Sequence, residues 1–227
     1  MKLSDKTIKV LKNFSSINQS MLFRTGSIIR TKSTTDTIAA QAVVEEMFPF
    51  EFGIYDLNQF LNVISLFEEP EFDFQEYYVT ISNGESSSNY YYTDKDMLQG
   101  VPKDTTPDVQ RALGFNLTES DVKSLVQAAN VMQLPNIVVE SKPDEQDVIV
   151  TVSDIRNNTS NNFYKKVGET MVSKSFRLVL LVENMKVLPH SYDVSIISSP
   201  FLGLEFSSKY DKIKYWLPVE QGSEFNE

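Results

Sequence analysis

The apolar positions at the start of the chain recur at helical spacing. Four of them define one face of a helix predicted over residues 4–17: Ile8, Leu11, Phe14 and Ile17. Ser4 is a suitable N-cap, and Asp5 lies in the first turn, where the helix dipole favours negative charge. A second helix is predicted over residues 56–67, again with an aspartate as its cap.

Segments of β type surround these two helices. Between the helices, short strands are predicted at 21–23, 27–31, 37–44 and 48–55, and their lengths suit an antiparallel meander. After the second helix, tyrosine-rich strands at 77–82 and 89–93 are joined by an Asn83-Gly84 turn. The first half therefore has the order helix, meander, helix and hairpin.

The same order of elements is repeated about 114 residues later. Residues 117–125 repeat the helix start of residues 3–11, and residues 193–196 repeat residues 78–81. A helix is predicted over 118–132, with strands near 135–141, 147–153, 162–168, 174–182, 192–198, 202–207 and 212–219. The counterpart of the second helix shrinks to residues 183–186, because about 12 residues are missing there. A repeat of this size indicates two similar domains.

Residues 95–116 join the two halves in this interpretation. They contain two glycines and two prolines among scattered polar residues, a composition that suits a connector with no sheet of its own. We therefore predict an N-terminal domain at 1–94, a connector at 95–116 and a C-terminal domain at 117–227 with a shortened second helix. The predicted fold class is α+β with antiparallel sheets.

Composition limits the kind of protein this can be. The formal net charge of −10 at pH 7 means that the chain as a whole repels nucleic acid. The absence of cysteine excludes disulfides and thiolate metal sites. The first twenty residues contain no apolar run, and the longest apolar stretch, 178–182, is too short to span a bilayer. We therefore expect no secretion signal and no membrane segment.

Several short stretches resemble the sliding clamps of T-even-type bacteriophages at matching positions along the chain. They are residues 1–4, 11–14, 54–58 with Phe60 and Leu61, and 184–186 with Pro189. The order of elements and the shortened second helix match this family as well. The resemblance implies a ring of clamp-type domains, with antiparallel sheets on the outside and helices lining one face.

The resemblance also implies partners and a location. The ring would be a homotrimer that threads duplex DNA, without sequence preference, and tethers the replicative DNA polymerase to it. No catalytic activity, cofactor or metal is implied. The chain has no Gly-rich phosphate loop, so ATP hydrolysis would come from a separate clamp loader. Late-transcription factors are a further partner class that the resemblance allows, and the expected location is the cytoplasm of the infected bacterial host.

Lysines on the first helix are the predicted DNA contacts. On a helical wheel they lie within about 120° of one another, beside the apolar face: Lys2, Lys6, Lys9 and Lys12. Ammonium groups that meet phosphates without base contacts give weak, sequence-independent attraction, which suits a sliding ring. Without the resemblance, the same lysines are the solvated face of an ordinary amphipathic helix. In the second half few charges are available, so DNA contact there rests on Lys123 and Lys186.

The resemblance assigns the subunit interface to two edge strands. Residues 89–93 of one subunit would pair with the strand near 163–167 of the next, which removes exposed sheet edges. The candidate interface residues are Tyr90, Tyr91, Tyr92, Phe163, Tyr164 and Val167. Tyrosine is also a common strand residue in its own right, so this assignment depends on the family plan.

The family also implies an apolar pocket beneath the connector that binds short C-terminal peptides of the polymerase and the loader. The candidate pocket residues are Met97, Leu98, Val101, Leu217, Pro218 and Val219. Each of them could equally be an ordinary core residue.

Catalytic and metal sites are not predicted. His190 is the only histidine, which rules out a histidine-based triad or a two-histidine metal site within one chain. The acidic runs at 68–73 and 144–147 lack calcium-loop spacing and are predicted as solvated loops. The competing interpretations are a β-rich phage structural or assembly protein without DNA binding and, more distantly, an enzyme that uses a carboxylate pair.

Overall fold

The computed structural model describes residues 1–142, 146–157, 159–170, 174–208 and 210–225. The chain forms two compact units. The first contains Met1–Thr106 together with Asp211–Ile213, and the second contains Pro107–Tyr210 together with Lys214–Glu227. Within the described residues, no helix combines the length and the apolar character that crossing a membrane requires.

The first unit is built from two helices and a series of antiparallel strands. The helices are α1 (Asp5–Ile17) and α2 (Leu57–Ile64). The strands are β1 (Met21–Phe23), β2 (Gly26–Lys32), β3 (Ala39–Phe48), β4 (Phe52–Ile54), β5 (Glu71–Phe74), β6 (Tyr78–Ser82) and β7 (Ser87–Tyr91). β1 pairs with β4, β2 pairs with β3, and β5, β6 and β7 form a sheet in that order.

Aromatic rings fill the core of the first unit. Phe23 stacks on Phe52 with ring centroids 4.7 Å apart, and Phe48 lies 4.8 Å from Phe23. α1 contributes Leu11 and Phe14, both with no exposed surface. Offset and tilted ring pairs of this kind add stabilisation beyond the apolar area they bury.

The second unit contains one α-helix, α3 (Glu119–Met132), among its described residues. Its strands are β8 (Gln110–Leu117), β9 (Asn136–Ser141), β10 (Asp147–Ser153), β11 (Phe163–Glu169), β12 (Phe176–Leu181), β13 (Tyr192–Ser199), β14 (Gly203–Ser208), β15 (Ile213–Pro218) and β16 (Glu224–Phe225). One antiparallel sheet has the order β11, β10, β9, β12, β16. In the other, β13 lies between β8 and β14, with β15 beyond β14.

The repeat is confirmed at the starts of the two long helices. The side chain of Ser4 accepts a hydrogen bond from the Thr7 backbone, and the side chain of Thr118 accepts one from the Asp121 backbone. The two N-caps therefore stand at equivalent positions, 114 residues apart. In the second half, the short counterpart of α2 is a 3₁₀ turn at Val182–Asn184.

Two segments form strands where the sequence predicted a connector and a loop. Residues 110–117, placed mostly in a connector without a sheet, form β8, which pairs with β13. Residues 71–74, predicted as a solvated loop, form β5, in which Phe72 is buried between exposed Glu71 and Asp73. Both are edge strands, and charged or small residues on an edge strand imitate the composition of a loop. Residues 144 and 145 of the other acidic run lie outside the described residues.

Candidate nucleic-acid interface

α1 carries its lysines opposite a buried face. Lys6, Lys9 and Lys12 are exposed, whereas Val10 and Phe14 are buried. Lys2 does not belong to this face, because the helix begins at Asp5 and the preceding Ser4 is extended. The backbone of Lys2 instead forms a β-bridge with Glu71. The structure therefore places Lys6, Lys9 and Lys12 on the exposed side of α1 and Lys2 outside the helix.

A buried carboxylate fastens the start of α1 to β3. Glu46 accepts hydrogen bonds from the Ser4 backbone and from the Thr7 hydroxyl. Burial alone would raise the pKa of Glu46, but these hydrogen bonds outweigh it and hold the pKa below its ordinary value of 4.5. The positive end of the helix dipole also stabilises the negative charge of this carboxylate. It thus fixes the position of the lysine-bearing helix.

We predict that Glu46 makes the stability of the protein depend on pH. Its pKa is lower in the folded state, so its contribution is complete above the unfolded value near 4.5 and is lost as the pH falls below it. Glu46→Gln should lower the free energy of unfolding by about 1–3 kcal/mol at pH 7 and by much less at acid pH. Urea unfolding at both pH values measures this difference.

Glu45→Gln is the matched control for that measurement. Glu45 precedes Glu46 in β3 but is exposed, because alternate strand residues point to opposite faces and Glu46 faces α1. The control removes the same charge without touching the helix. Equal losses of stability in the two variants would contradict the role assigned to Glu46.

The lysines of the first unit differ in their acidic neighbours. Lys6 Nζ lies 3.1 Å from a carboxylate oxygen of Asp211. Lys2 Nζ lies 3.2 Å from Glu69 and 4.0 Å from Glu71, in a depression that Glu68 and Glu85 also line. The surroundings of Lys2 are therefore net negative. Lys9 and Lys12 are exposed on the next turns of α1.

α3 presents fewer charges than α1. Lys123 pairs with Glu119 one turn earlier on the same helix. Asp121 is held by Lys165 of β11 at 2.6 Å. Burial tends to raise the pKa of Asp121, but the hydrogen bonds from Lys165 and Thr118 lower it overall. Lys186 is exposed just after the 3₁₀ turn at Val182–Asn184.

The tyrosines predicted for the subunit interface have different surroundings. Tyr90 donates a hydrogen bond to the Asp56 carbonyl and lies within reach of the Gln59 side chain, both at 3.1 Å. Tyr91 is 66% exposed on the opposite face of β7. Tyr92 packs on Phe52 in the aromatic core, with ring centroids 4.8 Å apart, and burial raises its pKa.

β7 is an edge strand with backbone groups pointing away from its sheet. Tyr92 N–H donates to the Tyr77 carbonyl, and Asn83 N–H donates to the Ser86 carbonyl. Because hydrogen-bonded and non-hydrogen-bonded pairs alternate in an antiparallel hairpin, the Thr80–Asn89 pair is of the non-hydrogen-bonded type. The N–H and C=O of Asn89 therefore point out from the free edge.

β11 is an edge strand of the second unit. Its two faces differ, since Lys165 points to α3 while Tyr164 is 73% exposed. Phe163 and Val167 are half-buried. Within the described part of the chain, each unit thus has one predicted interface strand at the edge of its sheet. Each of these two strands carries one exposed tyrosine.

The predicted pocket residues range from exposed to fully buried. Met97 is 64% exposed at the end of a short 3₁₀ turn. Leu98 and Val101 are half-buried, as are Pro218 and Val219. Leu217 has no exposed surface in the chain, so it is a core residue here and not part of an open surface.

Two arginines fasten the segment that follows Met97, and sequence reasoning missed both. Arg24 donates to the Pro102 carbonyl at 3.0 Å, and Arg30 pairs with Asp104 at 2.7 Å. Burial lowers the pKa of Arg30, although the Asp104 charge opposes that effect. These partners are more than seventy residues apart, so no local pattern could have revealed them. Glu46 did leave a signal, because it occupies an inward position of alternating β3.

Comparisons with known proteins define the family. A model of the family described as DNA polymerase processivity factor matches residues 2–98. The sliding clamp of Vibrio phage KVP40 is 30% identical over 210 residues, which cover 90% of this chain and 95% of that protein. The chain belongs to the sliding clamps. The sliding clamp of Escherichia phage RB69 is 26% identical over 98% of both chains.

The fold of this clamp agrees with that of a solved structure. The crystal structure of proliferating cellular nuclear antigen from Entamoeba histolytica superposes with a TM-score of 0.71 at 12% identity, covering 96% of this chain and 97% of that one. The predicted α+β class with antiparallel sheets is confirmed. The family assignment also confirms the predicted role as a phage DNA polymerase processivity factor, and this family is non-enzymatic. The structural-protein and enzyme alternatives are therefore excluded.

Proposed function

We propose that three copies of this clamp close into a ring around duplex DNA and tether the replicative DNA polymerase to its template. Each copy contributes two domains, predicted at 1–94 and 117–227, and the second also takes in β8, which the sequence had placed in the connector at 95–116. The site of action is the cytoplasm of the infected host. The observation that carries the proposal is the exposed lysine face of α1, with Lys6, Lys9 and Lys12 held opposite a buried apolar face.

The charge distribution supports a sliding contact. A chain with a formal net charge of −10 attracts DNA only where positive charge is concentrated. Lysines on α1 supply such a concentration, and they are flexible point charges without the planar geometry that reads bases. Contacts with phosphate alone are weak, sequence-independent and sensitive to salt. Lys123 and Lys186 are proposed as secondary contacts, whereas Lys2 contributes least because of its acidic neighbours.

The free edges of β7 and β11 support ring closure. An unpaired edge strand is a template for pairing with another chain, and a head-to-tail pairing that closes gives a ring. We propose that β7 of one subunit pairs with β11 of the next. The helix-facing side of such a joined sheet would carry Tyr90 and Phe163, and the opposite side would carry Tyr91 and Tyr164, while Val167 lies at a bulge of β11.

Partner proteins are proposed to bind near the segment after β7. Exposed Met97 and the half-buried residues Leu98 and Val101 are proposed to contact peptides of the polymerase and of an ATP-dependent loader. Half-buried Pro218 and Val219 are proposed as further contact residues. Arg24 and Arg30 hold the segment that carries Val101, which favours a preformed binding surface.

The proposal predicts a single species at three times the chain mass of 25.9 kDa. Sedimentation equilibrium over a range of protein concentrations measures this mass. The same protein should stimulate synthesis on long templates only when a loader and ATP are present. A monomer at micromolar concentration that is inert in the synthesis assay would rule out the proposed ring.

A further inference from the structure

One lysine of the predicted DNA face already has an anionic partner within the protein. Lys6 Nζ lies 3.1 Å from Asp211 Oδ1, and both side chains retain access to solvent, at 42% and 27%. The partner comes from a turn more than two hundred residues away in sequence, which belongs to the same compact unit. A carboxylate of the protein itself therefore lies beside Lys6, on the helix face that is proposed to meet DNA.

The turn that carries Asp211 is fixed to the sheet. The Val43 N–H donates to the Lys212 carbonyl at 3.1 Å, and Ile213 is completely buried. Lys212 adopts a left-handed conformation with φ of 50°, which reverses the chain at this point. Asp211 is thus held near Lys6 by its backbone, and the ion pair does not need to order a mobile loop.

We propose that Asp211 competes with DNA phosphate for Lys6 and so limits the affinity of the clamp for DNA. This inference rests on the proposed function of the α1 lysines. A phosphate that approaches Lys6 must displace the carboxylate and also meets its negative charge. Because exposed ion pairs are weak, the exchange is easy in both directions. The Lys6 ammonium can therefore release one DNA phosphate, pair with Asp211, and then bind the next phosphate. This exchange favours sliding along DNA over tight binding at one position.

Asp211→Asn tests this role with a change of similar shape. We expect the variant to bind a short fluorescein-labelled DNA duplex about two- to fivefold more tightly at low salt, measured by fluorescence anisotropy. Glu45→Gln is again the matched control, because it removes one negative charge on the face of β3 opposite α1. An equal gain in both variants, or no gain in Asp211→Asn, would overturn the proposal.

A second comparison separates this inference from the proposed function. In a Lys6→Gln background, Asp211→Asn should gain clearly less affinity than it does in the wild-type background, because the Lys6 ammonium beside the carboxylate is gone. A full gain without Lys6 would contradict competition for that lysine. Lys12→Gln should weaken binding in either case. If Lys12→Gln has no effect, the proposed DNA face itself fails, whatever Asp211 does.

Discussion

Replacing Lys9 and Lys12 by glutamate is expected to reduce retention of the clamp on circular DNA at least about tenfold. Each substitution removes an exposed ammonium group and adds a charge that repels phosphate. A symmetric ring repeats the change in every subunit. Neither side chain belongs to the buried face of α1, so the helix and the oligomer should persist. The measurement is the amount of clamp that stays with circular DNA after loading and gel filtration.

Lys103→Glu with Lys142→Glu is the control for this experiment. Both lysines are exposed, neither lies on α1 or α3, and the pair changes the net charge by the same amount. This variant should keep most of its DNA retention. If both double variants lose retention equally, the effect is one of net charge and the specific role of α1 is wrong.

Asn89→Pro is expected to convert the proposed trimer into monomers. The N–H of Asn89 points out from the free edge of β7, so proline removes a donor from the proposed interface without removing a hydrogen bond to β6. Leaving a buried acceptor without its partner costs about 1–3 kcal/mol per interface, and a three-membered ring contains three such interfaces. Sedimentation equilibrium should therefore show a shift from three chain masses toward one.

Asn89→Ala separates the backbone effect from the loss of the side chain. The side chain of Asn89 accepts a hydrogen bond from Thr80 at 2.9 Å, and alanine removes that contact while it keeps the N–H. The alanine variant should remain an oligomer. A proline variant that keeps the wild-type mass would show that the edge of β7 lies outside the subunit interface.

The sequence predicted the helices and most strands because their signals are local. The apolar spacing of α1 and its Ser4 cap need only neighbouring residues, and the repeat placed α3 with an equivalent cap at Thr118. The alternation of apolar residues located β10 and β13 to within a residue at each end. Strands β5 and β8 were missed, because their few buried residues lie among charged or small residues that are typical of loops.

The surroundings of the predicted site could not be read from local patterns. Nothing near Lys6 in sequence indicates Asp211, and nothing near Lys2 indicates the glutamates that follow α2. These pairs depend on how distant segments fold together. Glu46 is the exception, since a glutamate at an inward position of β3 is a signal for a buried, hydrogen-bonded carboxylate. The sequence therefore predicted the lysines but not the acidic residues that lie beside Lys2 and Lys6.

The topological state of the clamp on DNA tests the central claim most directly. The clamp is first loaded onto circular DNA by an ATP-dependent loader and isolated by gel filtration, and the circle is then cut once. A closed ring held by topology should remain with the intact circle and slide off the linear product. Retention on both forms, or on neither, would contradict a ring that encircles DNA.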